Sequence, residues 1–350
     1  MPSLLALSHS SLDPASRFRI LQWLPHLEAL GWRTRHRPNR PPRFRPDPPL
    51  GIAAKLGLLF ARRRRQMHRR LDILAARRAD LVWLNRDMLE GVPDWERRLV
   101  RHNPRLVFDV YDAVYLTDRR GHFPAVCAAA ALVLAGNETI AAEARRYARR
   151  VEVLPTVIDI PLYAESQPIT SAGAGLRLGW CGSDLSIHRT LAPALPMLAK
   201  LQQRLGFQLI VMSRPRPAIG AEGLVWDYVE WTPAREQRLG EWFDIGIMPL
   251  ADEPYLRAKC GCKLLQYLAA GLPAIASPVG VNAEILARSG AGFTATDEAS
   301  WDAAIAKLDD PERRRQMGAR GRAWCAREMS VERWLPVLDG LLREVAAAPR

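Results

Sequence analysis

Lysine is nearly absent from this chain. Of its fifty basic side chains, forty-five are arginine and only Lys55, Lys200, Lys259, Lys263 and Lys307 are not. Two of these five fall in one five-residue stretch. Elsewhere the chain uses the rigid arginine fork where a compact ammonium on a flexible stem would also carry charge. Cysteine is scarce as well: Cys127, Cys181, Cys260, Cys262 and Cys325 are odd in number and mostly in apolar context, which points to a reducing compartment. Cys260 and Cys262 form C-x-C with no second pair and no neighbouring His, which argues against zinc. The longest apolar run, AVCAAAALVLAG, falls short of the ~20 residues of a membrane span. The opening MPSLLALS has no basic start and reads as a strand rather than a signal peptide, so a cytoplasmic location is expected.

What is present reads as two α/β domains. At 350 residues, with 48% hydrophobic and 25% charged content, the chain can bury two cores. Residues 1–163 alternate apolar strands (LLALS, DLVWLN, RLVFDVY, LVLAG, VEVLP) with helical stretches, the pattern of a parallel sheet wrapped by helices. The tract RPNRPPRFRPDPPL at 37–50 can be neither helix nor central strand and is expected as a loop. The small, polar stretch 164–175 reads as an interdomain linker. Residues 176–330 repeat the alternation, and 331–350 form a last amphipathic helix.

Charge is unevenly placed. Residues 1–150 hold 28 basic and 14 acidic side chains, a balance of +14, and the other 200 balance to −1. Residues 31–78 alone hold 15 basic and 2 acidic, a concentration that implies an anionic partner. In GIAAKLGLLFARRRRQMHRRLDILAARR, Leu56, Leu59, Phe60, Met67, Leu71 and Leu74 recur at helical spacing, with Arg62, Arg64, Arg65 and Arg69 on the remaining faces. That is the pattern of a helix lying in an anionic membrane interface, with Leu56, Phe60 and these four arginines as its contacts. Nucleic acid is the weaker reading, because the aromatics are not regularly interleaved and no DNA- or RNA-binding motif is visible.

The densest chemistry lies in residues 244–284, DIGIMPLADEPYLRAKCGCKLLQYLAAGLPAIASPVGVNAE. They read as strand, acidic and aromatic loop, lysine-bearing helix, Gly-Leu-Pro stop, strand and glycine turn. If helix starts near Lys259, then Lys259 and Lys263 share one face at its N-terminal end, where unpaired N–H groups and the dipole already attract anions. That makes a seat for a diphosphate. In the turn GWCGSD, Gly182 and Ser183 stand between strand and helix, where backbone N–H groups can approach phosphate.

These segments, with SRFRILQWLPHLEALGW, LVFDVYDAVYL, LVLAGNETIAAEA, VEVLPTVID and LRLGWCGSDLSIHRTL in that order, resemble the retaining family-4 (group 1) glycosyltransferases of the GT-B fold over nearly the whole chain. The resemblance implies two Rossmann-like domains facing a central cleft, with the C-terminal helix crossing back to the first. It implies transfer of a sugar from a nucleotide-diphosphate donor, with retention and with neither metal nor other cofactor. Lys259 and Lys263 would stabilise the leaving diphosphate; Gly182, Ser183, Arg214 and Arg257 would contact the nucleotide sugar, and Gln266 would hold ribose. The family's two glutamates, spaced E-x7-E, map to Ala258 and Gln266, so the first carboxylate is missing. Asp112 would align the acceptor hydroxyl, with Arg17, Arg19, Asp109 and Tyr111 as acceptor contacts. The basic first domain points to a lipid-linked or membrane-borne glycan as acceptor, met at the inner face of the cell membrane. The alternatives are a GT-B nucleotide-sugar epimerase, which needs no acceptor, and a non-catalytic protein that binds an anionic surface.

Overall fold

The computed structural model describes residues 1–41, 52–89, 93–165 and 175–349, with the side chains of 52–56, 184 and 185 outside the description. Most of the proline-rich tract, the expected linker over 166–174 and the side chain of Leu56 therefore lie outside the described residues.

Two compact units make up the chain: Met1–Thr156 with Trp334–Arg350, and Val157–Arg333. The first holds a six-stranded parallel sheet of β1 (Ser3–Ser8), β2 (Arg33–Pro38), β3 (Leu81–Asn85), β4 (Leu106–Val110), β5 (Leu132–Ala135) and β6 (Val151–Val153), in the order β2-β1-β3-β4-β5-β6. Strands β3, β4 and β5 are buried along their whole length, which is why they read as unbroken apolar runs rather than as alternations. At one edge, RTRHRP of β2 exposes Arg33 and Arg35, charges that keep an edge strand from pairing further.

The second unit repeats the plan with β7 (Arg177–Cys181), β8 (Gln208–Ser213), β9 (Trp226–Glu230), β10 (Ile245–Met248), β11 (Ala274–Ala276) and β12 (Gly292–Thr294), all parallel, in the order β12-β11-β10-β7-β8-β9. Its core joins Leu178, Trp180, Leu209, Ile247 and Ile275 of the sheet to Leu195, Leu198 and Trp301 of the covering helices. Residues 157–163, expected in the first domain, belong with this unit. Ile158 donates its N–H to Met329 O at 2.9 Å and accepts from Val331 N at 3.1 Å. From Trp334 onward, the last helix, Val331–Ala347, belongs to the first unit.

Candidate functional site

In an open parallel sheet, ligands gather beyond the carboxyl ends of the strands where the strand order reverses. In the second unit, β7 leads to β8 on one side while β10 lies on its other side, so the reversal falls between β7 and β10. The turn after β7 and the loop after β10 are the two segments singled out by their chemistry, and here they meet.

Gly261 makes that meeting possible. Its left-handed backbone (φ +67°) turns the chain into the helix Cys262–Ala269, and a Cβ there would lie 2.6 Å from Ile285 Cδ1. Lys263 is the second residue of that helix, and its Nζ lies 5.1 Å from the Trp180 ring centroid. The same side chain crosses over Gly182: a Cβ on Gly182 would sit 2.6 Å from Lys263 Cε and 2.9 Å from Nζ. The expected backbone donation from Gly182 is overturned, because its N–H is bonded to Met212 O at 3.0 Å. What Gly182 contributes is room for the ammonium. Ser183 caps the one-turn helix Asp184–Ile187 with its carbonyl, accepting from Ser186 N and Ile187 N, and makes no side-chain cap bond.

Lys259 is placed differently from the expectation. The helix begins at Cys262, after Gly261, so Lys259 lies in the preceding turn, where its N–H donates to Leu256 O, and shares no helical face with Lys263. Its Nζ lies 5.7 Å from the ring of Tyr255, and Arg189, from the segment after β7, covers that ring at 5.0 Å. Tyr255 thus holds one cation from each of the two segments. Arg214, just past the end of β8, is exposed and 3.8 Å from Glu230. Arg257 is exposed and donates to Asp252 at 2.5 and 2.9 Å, and this bond holds the Asp252 carboxyl below its ordinary pKa.

Gln266 needs a correction too. It is only 5% exposed, and its amide donates to Tyr163 Oη at 3.1 Å, while that hydroxyl donates to Glu236 at 3.2 Å. Glu236 also accepts from Trp231 Nε1 at 2.5 Å. The amide belongs to an internal network and not to a ribose site. Ala258 is fully buried and offers no polar group.

On the acceptor side, the first unit removes two expected contacts. Arg19 is fully buried: it pairs with Asp109 at 3.0 Å and donates to Leu154 O (2.7 Å) and Pro155 O (3.0 Å). Asp109 is equally buried and also accepts from Asn85 Nδ2 at 3.0 Å. A charge pair with its hydrogen bonds satisfied this way fastens β4 to the end of β6 and is closed to a substrate. Arg17 is half-buried, stacked 5.1 Å over Phe18. Tyr111 and Asp112 remain at the carboxyl edge, where Arg86 pairs with Asp112 and lies 5.2 Å over the Tyr111 ring. Arg86 is the one non-glycine residue with left-handed backbone among those described (φ 63°), the kind of strain that collects at functional sites. Beside it, His9 Nε2 meets Asp87 Oδ1 at 2.9 Å and Asp87 O at 2.7 Å. Sequence reasoning passed over His9, Arg86 and Asp87, although each stands just past β1 or β3, the two strands between which this sheet reverses its order.

In the basic helix Ile52–Ala76, Phe60, Arg62 and Arg64 are exposed and Arg65 is half-buried. Arg69 is fully buried and is not a membrane contact: its guanidinium is held by Asp72, Ser8 O and Met88 O.

Residues 178–310 match the family model described as Glycosyl transferases group 1. No curated protein matches the chain in sequence. Among solved structures, sucrose-phosphate synthase from Thermosynechococcus elongatus aligns over 99% of this chain and 100% of its own at 16% identity, with a TM-score of 0.71. Anabaena HepE, solved with UDP and glucose, aligns over 100% of both chains at 13% identity and a TM-score of 0.65. WaaG, a glycosyltransferase involved in lipopolysaccharide biosynthesis, covers 99% of this chain and 100% of its own at 14% identity and a TM-score of 0.61. At these identities the likeness is one of fold. The chain is an α/β protein of the GT-B fold, and its second unit carries the match to the group 1 glycosyltransferases.

Proposed function

We infer that the protein transfers a sugar from a nucleotide-diphosphate sugar to an acceptor, with retention and without a metal. The observation that carries this reading is Lys263, lodged over Gly182 at the strand-order reversal of the second unit. An ammonium at that point, with Lys259 and Arg189 on the faces of Tyr255, offsets the charge that grows on a departing diphosphate. Relatives in fold have been solved with UDP and glucose, which supports a nucleotide-sugar donor. In the transfer, the bond from the anomeric carbon to the diphosphate oxygen breaks as the acceptor oxygen bonds to the same face of the sugar. The acceptor's proton passes to the departing phosphate oxygen, so no strong base is needed, and Asp112 serves as the group that aligns the acceptor hydroxyl. The acceptor is a lipid-linked or membrane-borne glycan, reached by a protein peripheral to the cytoplasmic face of an anionic membrane.

Thermal-shift binding against UDP, GDP, ADP, CMP and dTDP sugars, with EDTA present, tests the donor. One nucleotide should stabilise the protein selectively, and Lys263→Ala should lower both that shift and turnover by about tenfold or more. No response to any nucleotide would overturn the reading. A second reading, a binding protein without turnover, is favoured by the apolar Ala258 where a carboxylate is expected. Donor consumption in the presence of membranes separates the two.

A further inference from the structure

The basic helix Ile52–Ala76 is inverted in polarity. Its inner face carries Arg69, Asp72, Ile73 and Ala76, all buried. Opposite Arg69, at about 3.6 residues per turn, Phe60, Met67, Leu71 and Leu74 fall within a sector of roughly 60°. Their exposures are 76, 57, 47 and 51%. A surface helix ordinarily turns polar residues outward at these positions. By the same geometry the exposed Arg63 and Arg70 border the apolar sector on one flank and Arg64 on the other.

The helix is also tied to the strand ends. Arg69 donates to Ser8 O, at the end of β1, at 2.9 Å and to Met88 O, just beyond β3, at 3.1 Å. Helical side chains lean toward the N-terminus, so the carboxyl edge of the sheet lies level with the turn before Arg69. From Ile52 to that level the helix runs for between three and four turns, on the order of 20 Å along its axis. Along this stretch Leu58, Leu59 and Phe60 are all more than half exposed. Three adjacent residues cover about 200° of a helix, so no rotation of the element hides them from water.

We propose that this helix anchors the first unit in the headgroup layer of an anionic bilayer, and that the acceptor is a lipid-borne molecule delivered to the carboxyl edge of the first sheet. Leu58, Leu59 and Phe60 enter the acyl boundary while Arg62, Arg63 and Arg64 pair with lipid phosphates. Charge selects this occupant, because a second copy would set its own arginine collar against the first. Among the described residues no helix is long and apolar enough to cross a membrane, so the contact is interfacial. The bonds from Arg69 to Ser8 and Met88 fix the helix to the strand ends beside His9, Arg86 and Asp112, so the anchored helix holds the sheet edge that carries those groups on the membrane side. The second half of the proposal, the lipid-borne acceptor, rests on the transfer reading; the anchoring does not.

Flotation with vesicles of phosphatidylglycerol and phosphatidylcholine, and with phosphatidylcholine alone, tests the anchor. The wild-type protein should float with the anionic vesicles and about tenfold less with the neutral ones. Leu58→Ser, Leu59→Ser and Phe60→Ser together should reduce anionic flotation by about tenfold or more, with melting temperature and nucleotide shift unchanged. Equal flotation of the triple variant, or none by the wild type, overturns the anchor. A wild-type dimer in solution that the triple variant dissolves also overturns it, by assigning the face to a second copy. Sugar from the stabilising donor should appear in the organic-extractable fraction of added membranes, and incorporation only into water-soluble acceptors overturns the second half. Loss of nucleotide binding with flotation intact strikes the transfer reading and leaves the anchor standing.

Discussion

At the scale of residues, a glycine and a lysine define the site through a single contact. Gly182 and Lys263 were each legible as candidates, one from its strand–helix turn and one from its rarity in an arginine-rich chain. Their contact was not legible, because it depends on β10 lying beside β7 in the sheet. Nor was the true use of Gly182, since a free N–H and an absent Cβ look alike in a sequence. Gly182→Ala separates the two. Its Cβ would fall 2.6 Å from both Lys263 Cε and Trp180 Cη2, so the lysine must leave its seat while the bond from the residue's N–H to Met212 survives. Nucleotide affinity of the folded variant should drop about tenfold, or ~1.4 kcal/mol, and the melting temperature should fall as well, because the buried Trp180 ring must also give way. Unaltered affinity in a titrated thermal shift would remove Lys263 from the phosphate seat. Arg19 and Asp109 teach the opposite lesson. Both are ionisable residues near the ends of elements, which made them resemble site residues, but carbonyls from Leu154 and Pro155, far along the chain, satisfy the guanidinium and bury the pair.

At the scale of elements, the basic helix was recognisable by its spacing, but the direction of its faces was not. An arginine at helical position 69 is ordinarily assigned to solvent. Here strand ends from three places in the sequence supply carbonyls, and Asp72 supplies the counter-charge, so the arginine turns inward and the apolar sector turns outward. The buried cation also acts on its neighbours. His36 of β2, 2.8 Å from Ser8 Oγ, has its pKa lowered to about 4, first by burial and then by Arg69. The folded state therefore holds His36 neutral where the unfolded chain, with its ordinary value near 6.5, takes up a proton. The resulting stability is complete above pH 6.5 and is lost as pH falls toward 4. The loss over that window is on the order of 2–3 kcal/mol. Urea unfolding of the wild type and of His36→Gln at pH 7 and pH 5 measures it, with the wild type losing more stability than the variant. Parallel losses in the two proteins would assign the pH response to other groups.

At the scale of the whole molecule, the strand–helix alternation carried the fold. Two parallel sheets follow from buried apolar runs joined by helices, and each places its reversal point where a chemically marked turn lies. The point at which the chain passes from one unit to the other was less legible, because residues 157–163 look like one more strand end and are claimed by Met329 and Val331 through backbone bonds. The return of the C-terminus is the part of this plan most open to test. Within the first unit, Asp339 accepts from Trp32 Nε1 at 2.7 Å, Arg343 donates to Leu30 O at 2.8 Å, and Glu344 pairs with Arg150 at 2.7 Å. Leu338, Leu342 and Val345 are buried there as well. Each such side chain contributes roughly 1.5–3 kcal/mol by burial, so together they amount to a large share of a domain's ~5–15 kcal/mol. Ending the chain at Arg333 should therefore loosen the first unit selectively. Amide exchange in β1 and β2 should accelerate by several orders of magnitude, while β7, β8 and β10 keep their protection and nucleotide binding persists. Unchanged protection of β1 and β2 would mean that the first unit stands without its returning helix. Equal loss in both sheets would mean that the two units unfold as one.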